Sequence, residues 1–304
     1  MKTRNKFHGI ILGIYADMIG IKHECALNHL LLQKEALGDL LIPLSKVIRE
    51  QNDFNKIKPG WFSITRNNKL WDDLMTYLKT RDEFSDDTVL SCATIAALLE
   101  NPKQPDFAKY YHQFGNKYPN GGYGSMFKEW LKTEKPGLPY GGFTNGALMR
   151  LAPIGYLDIS LEEKIRLTSL SVSATHDTFE AINPAKEMIT LIDLITKGTT
   201  PLRAAHSLLC DNGKNELTRS LPELPYDECD GKCASTLENA LSIICNSISP
   251  DNLIYNVIKT GGDTDTIGMI AGSIYGAQKD FYVPEYIQKY VKDKLPKELC
   301  ELVF

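Results

Sequence analysis

The residues best suited to chemistry in this chain are two short acidic runs. Gly261-Gly262-Asp263-Thr264-Asp265-Thr266 sets two aspartates one residue apart among threonine hydroxyls, directly ahead of the apolar run Ile267 to Ala277. Ser85-Asp86-Asp87-Thr88 opens a second apolar run, Val89 to Leu99. No Lys or Arg stands between Asp82 and Asn101, or between Thr260 and Gln278, to neutralise either run. Carboxylates gathered without a counter-charge repel, so either some of them take up protons or a cation sits among them. Oxygen-only donors suit Mg²⁺ or Mn²⁺ rather than a thiophilic metal. So many ligands could serve one ion or two ions roughly 3.5–4 Å apart. Each acidic pair alone would also serve as a plain helix cap, because Asp, Ser and Thr satisfy the free N–H groups of a first turn. The Gly-Gly-Asp-Thr-Asp-Thr pattern asks for more than that, since one cap needs neither two glycines nor two aspartates.

Helices must position these runs. Apolar residues recur at helical spacing over about 8–20, 26–50, 87–100, 105–116, 161–174, 178–197, 201–210, 234–247, 250–259, 265–278 and 284–293, and no convincing strict alternation is present. The expected fold is all-α: a compact, single-domain orthogonal helical bundle over 1–304 with a central metal site. No charge-rich or Pro-rich linker divides the chain, and no repeat of fixed period appears. Gly9, Gly13, Ala16 and Gly20 form one stripe of small residues, and Gly268, Gly272 and Gly276 form another. A helical glycine costs about 1 kcal/mol against alanine, so such stripes call for close backbone packing. Two segments read as loops. Lys117 to Gly146 is rich in glycine and proline but also in aromatics, which favours a functional loop over disorder. Asp211 to Lys232 reads as a polar surface excursion.

Composition narrows the partners. With 34 Lys and Arg against 38 Asp and Glu, the net charge is -4, which argues against a broad nucleic-acid footprint. Seven cysteines form no regular framework. An odd count favours free thiols, and Cys229 and Cys233 lack the second pair that a zinc site needs. Asp17 interrupts the apolar part of the N-terminus, so it does not read as a cleavable leader. No stretch reaches the roughly 18 apolar residues of a membrane span. The expectation is a cytoplasmic protein with neither a membrane nor a nucleic-acid partner.

Taken together, Ser85 to Thr88 and Gly261 to Thr266 resemble the signature of the ADP-ribosylglycohydrolase family, and further segments extend the likeness. Gly9 to Glu24 resembles the family's opening helix, in which an acid following a glycine is itself followed seven positions later by a second acid; here these are Asp17 and Glu24. Tyr118 to Gly124 is similar to its glycine-rich phosphate loop, Phe143 to Gly155 to its Gly-Asn-Gly-Ala-Met-Arg segment, and Ser173 to His176 to its Thr-His element. Ala16 and Thr144 stand where the family usually has glycine, and Asp177-Thr178-Phe179 departs from the usual continuation after the histidine.

The resemblance implies an all-helical, Mg²⁺-dependent hydrolase (one or two ions, Mn²⁺ as a substitute) that removes ADP-ribose from a modified side chain, arginine being the favoured acceptor. Ser85, Asp86, Asp87, Asp263, Asp265 and Thr266 would hold metal. Glu24, Asp86 and Asp265 would be the catalytic acids, with Glu24 an acid/base or a substrate gate, or else an exposed helix-end glutamate. Asp17 would be a supporting or buried hydrogen-bonding acid. Gly121, Gly122, Tyr123, Gly124 and Ser125 would face a pyrophosphate, and Asn145, Gly146 and Met149 the ribose or diphosphate. Tyr140 and Phe143 would stack on adenine or anchor the loop. Arg150 would pair with a phosphate or a carboxylate, and His176 would touch the ligand or be satisfied structurally. The partner would be an ADP-ribosylated protein, or a small conjugate such as O-acetyl-ADP-ribose, met by a monomer. A catalytically silent ADP-ribose-binding protein is the reading from another class.

Overall fold

The computed structural model describes residues 6–21, 83–224 and 230–304. Glu24, Cys229 and the expected helix at 26–50 lie outside these residues. The all-α expectation holds: among the described residues thirteen α-helices form and no strand does, the helices at 125–131, 152–155 and 297–303 being additional to those expected; one isolated bridge joins Thr144 and Lys232. The helices are α1 Ile10–Gly20, α2 Asp86–Glu100, α3 Phe107–Lys117, α4 Ser125–Leu131, α5 Ala152–Gly155, α6 Leu161–Ser173 and α7 Phe179–Thr196. They continue as α8 Pro201–Asp211, α9 Cys233–Cys245, α10 Pro250–Thr260, α11 Thr264–Gly276, α12 Glu285–Lys294 and α13 Lys297–Val303. No described helix is long and apolar enough to cross a membrane.

Local chemistry explains the boundaries. Ser85, Ser160, Thr200 and Ser249 each accept a hydrogen bond from a backbone N–H of the first turn of α2, α6, α8 and α10, the usual way to satisfy a free donor there. Between α10 and α11 the chain turns through Gly261 at φ 78° and Gly262 at φ 74°. Side chains rarely adopt that region, so the Gly-Gly pair is what lets Asp263 follow α10 so closely.

Helices α1 and α11 pack most extensively of all pairs, and both are buried nearly all round. Their glycine stripes meet. A Cβ at Gly276 would lie 2.1 Å from Gly9 O, and one at Gly272 would lie 2.8 Å from Gly13 Cα. One continuous apolar core surrounds this pair, drawing on α2, α7, α9 and α10. One expectation needs correction. The segment 117–146 is not loop throughout, because Phe127 and Trp130 bury one face of α4 beside Tyr123. The described part of the polar excursion at 211–232 lies at the surface and holds a 3-10 turn, Asn215–Thr218, with Leu224 against Gly262.

Candidate active site

The two acidic runs meet at the starts of α2 and α11, beside the last turn of α1. Asp17, fully buried in α1, accepts from Ser85 N at 3.2 and 3.1 Å and from Thr88 Oγ1 at 2.5 Å. Asp87 Oδ2 accepts from Ser85 Oγ at 2.9 Å and from Thr266 Oγ1 at 3.2 Å, which bridges the two runs directly. Asp265 Oδ1 accepts from Thr266 N at 3.0 Å, and Thr264 Oγ1 donates to Gly20 O at 2.8 Å, fastening α11 to α1. Asp263 Oδ2 accepts from Asn145 Nδ2 at 2.6 Å.

The electrostatics follow from burial without a basic neighbour. Burial, then the charge of Asp265, pushes the Asp17 carboxyl up to about 6, although Thr88 and Ser85 donate to it. Asp87 is raised well above the ordinary carboxylate range by burial first, then by Asp265, Asp17, Asp86 and Asp263. Its Oδ1 is buried and has no hydrogen-bond partner among the described residues. A buried oxygen with no partner, in a field of like charges, is what a hard divalent cation would relieve. The all-oxygen donor set fits such an ion. The carboxylates do not, however, already converge on one point: among the described residues no three His, Cys, Asp or Glu side chains stand as a ready ligand set. Their oxygens are turned instead toward hydroxyl and amide donors. The structure thus shows a gathered acidic cluster; the expected central metal site, as coordination geometry, is not shown among the described residues.

Above the cluster lies a cavity of about 370 Å³, within the range of small-molecule sites. Asp86, Asp263, Asp265 and Thr266 line it, as do Gly122, Gly124 and Ser125 of the glycine-rich loop and Tyr140, Asn145, Gly146, Met149 and His176. Asp86 N donates to Gly121 O at 2.7 Å, which ties that loop to the start of α2. The structure does not bring every expected residue to the cavity wall. Ser85 and Asp87 lie buried away from its lining, and Gly121 packs on the backbone of Asp86. Tyr123 turns inward and stacks on Phe127 with ring centroids 5.1 Å apart. Phe143 is half exposed and is not part of the lining.

Sequence reasoning missed Leu90, Met126, Phe127, Thr144 and Gly231 in the lining. No spacing signal marks the last two. Their place follows from Asn145 N donating to Gly231 O at 2.6 Å, a contact between distant loops. Arg150 is fully buried, lies over the Tyr111 ring at 4.0 Å, and donates to Ser171 O and to Thr175 Oγ1. Burial, then the charge of Arg150, lowers His176 to about 3, so its ring is neutral.

The model of the ADP-ribosylglycohydrolase family matches residues 2–302. The chain belongs to the ADP-ribosylglycohydrolase family. Among solved structures it is similar to an ADP-ribosylglycohydrolase-related protein complex, with a TM-score of 0.51, 20% identity, and coverage of 73% of this chain and 82% of that one. At that identity the likeness speaks for the all-α fold alone. No curated relative matches the chain. As an ADP-ribosylglycohydrolase family member, the protein falls in a class of glycosidase-type hydrolases of ADP-ribose conjugates that in general use divalent metals.

Proposed function

We propose that the protein hydrolyses the glycosidic bond between ADP-ribose and a modified protein side chain, arginine being the favoured acceptor, and that it needs Mg²⁺ to do so. The observation that carries this reading is the acidic cluster, whose members Asp86, Asp263 and Asp265 reach the cavity floor while Asp87 and Asp17 stay buried beside it. Ser85, Asp86, Asp87, Asp263, Asp265 and Thr266 would hold one or two ions. When bound, a divalent ion supplies Lewis acidity, an ordering charge for vicinal ribose hydroxyls and a lowered pKa for bound water.

The chain's own groups supply the rest. Breaking the bond at the anomeric carbon develops positive charge on the ribose ring, which carboxylates on the cavity floor stabilise. Asp86 and Asp265, which line the cavity, would accept a proton from attacking water or return one to the leaving group. Asn145 holds Asp263 in orientation through its 2.6 Å hydrogen bond. The loop at Gly122, Gly124 and Ser125 presents backbone N–H groups to a pyrophosphate, and Tyr140 offers a ring face to adenine. Glu24, in the segment that resembles the family's opening helix, would serve as an acid or gate.

Incubation with ADP-ribosyl-arginine, ADP-ribosyl-serine and O-acetyl-ADP-ribose, each with Mg²⁺ and with EDTA, tests the reading. Release from the arginine linkage only with Mg²⁺ is the expected result. Release from another conjugate alone would reassign the substrate. Binding of ADP-ribose without any release would mark a silent binder and refute hydrolysis.

A further inference from the structure

A run of hydrogen bonds crosses one wall of the cavity and has a direction. Arg150 Nη2 donates to Thr175 Oγ1 at 2.6 Å, Thr175 Oγ1 lies 2.7 Å from His176 Nδ1, and His176 Nε2 lies 3.0 Å from Thr144 Oγ1. Thr144 lines the same cavity as Asp263 and Asn145. From the geometry we propose that Thr144 is a ligand contact that gives its hydroxyl proton to an acceptor oxygen of the bound nucleotide, and that Arg150, Thr175 and His176 are the positioning residues that fix this polarity.

The direction follows from what each group can do. A guanidinium only donates, so the Arg150 contact fills one lone pair of Thr175 Oγ1; in the proposed arrangement its proton goes to His176 Nδ1 and its second lone pair to the Tyr140 hydroxyl, which also hydrogen-bonds Thr175. The opposite arrangement would put an imidazole N–H on Nδ1, with its positive end toward the guanidinium. Among the described residues Arg150 rests on the Tyr111 ring and has no carboxylate partner, and its Nε and Nη1 are buried with no hydrogen-bond partner. A buried cation without a counter-charge favours a lone pair facing it rather than another N–H. With Nδ1 accepting, a neutral imidazole carries its proton on Nε2. That N–H donates to Thr144 Oγ1, and the hydroxyl proton of Thr144 is left to point into the cavity. Tyr140 sets its ring edge against His176, with centroids 5.0 Å apart, which limits rotation of the imidazole.

The occupant's identity rests on the functional reading above; the polarity of the run does not. Two measurements separate them. Long-range ¹H–¹⁵N NMR at neutral pH, with the signals of His176 among the six histidines assigned by His176→Gln, should report the Nε2–H tautomer. An Nδ1–H tautomer or an imidazolium would overturn the proposal. Calorimetry with ADP-ribose and Mg²⁺ should show Thr144→Val binding about fivefold more weakly and Thr144→Ser within about twofold of wild type, the size of one net hydrogen bond. Because Thr144 is exposed at the cavity edge, both variants should keep the wild-type unfolding temperature. Equal binding by Thr144→Val and wild type would overturn the ligand contact. Absence of ADP-ribose binding by wild type would sink the functional reading and the contact together, while the tautomer would still report on the relay.

Discussion

Asp87→Asn should make the metal-free protein more stable while making it nearly blind to Mg²⁺. The substitution keeps one acceptor oxygen for Ser85 and Thr266 and removes a charge that is buried without a basic neighbour. The neighbouring Asp17 feels the same surroundings, which push its carboxyl up to about 6. Asp87 is shifted in the same direction by the same burial and the same neighbours. For a carboxyl raised on folding, the native state holds its proton more tightly than the unfolded chain. The penalty is therefore absent below about pH 4, grows as pH climbs to about 6 for Asp17, and is complete above that. In EDTA at about pH 8, Asp87→Asn should gain roughly 1–3 kcal/mol, the usual cost of a buried unsatisfied polar group, or about 2–5 °C in unfolding temperature. At about pH 4 the two proteins should converge. With millimolar Mg²⁺ the wild type should rise through ligand linkage and overtake the variant. Calorimetric scans across pH, with Mg²⁺ or EDTA, read all of this. A variant no more stable than wild type in EDTA at high pH, or one that responds to Mg²⁺ equally, would refute the reasoning.

Two further outcomes concern the cavity. Asp263→Ala and Asp265→Ala should each lower the rate of ADP-ribose release by about 100-fold or more and weaken Mg²⁺ affinity, with the fold kept by circular dichroism; full Mg²⁺-dependent activity in either would remove the second acidic run from the site. His176, held near 3 by burial and by Arg150, should keep a neutral ring signal in NMR from about pH 5 to 8, and rate profiles should show no histidine inflection there.

Helix identity was legible wherever one face is apolar over several turns, which is why α2, α6, α7 and α11 begin and end within a residue or two of expectation. The short α4 was not, because its seven residues sit between glycines and prolines and are held by Phe127 and Trp130 packing outside the helix. The meeting of the two acidic runs was suggested by charge, since neither has a basic residue nearby, and by the family resemblance, although each run alone could have been a plain helix cap. Aromatic direction carried no such signal. Tyr123 and Phe143 both stand in irregular segments with no period to assign a face, and the first turned to the core while the second stayed exposed. Thr144 and Gly231 were silent because a loop-to-loop contact leaves no trace in local spacing.

The glycine stripes link fold and chemistry, and their two ends should behave differently. Asp17 sits on α1 and Asp265 on α11, so the distance between those acids is set by how closely the two backbones approach. Gly20 lies at the site end: a Cβ there would fall 2.5 Å from Thr264 O and 2.7 Å from Asp265 Cα. Gly276 lies at the far end, where a Cβ would fall 2.1 Å from Gly9 O. In an isolated helix, glycine to alanine would gain about 1 kcal/mol; here the clash is with backbone and cannot be relieved by a rotamer, so each change should cost about 1–3 kcal/mol instead. Gly20→Ala pushes the start of α11 away from Ser85 and Asp87, so it should weaken Mg²⁺ binding as well as stability. Gly276→Ala should lower stability by a similar amount and leave Mg²⁺ affinity within about twofold. Calorimetric Mg²⁺ titration of the two, both well below their unfolding temperatures, distinguishes a packing role from a metal-positioning one. Equal loss of affinity in both would mean that the stripe acts on the site only through global stability.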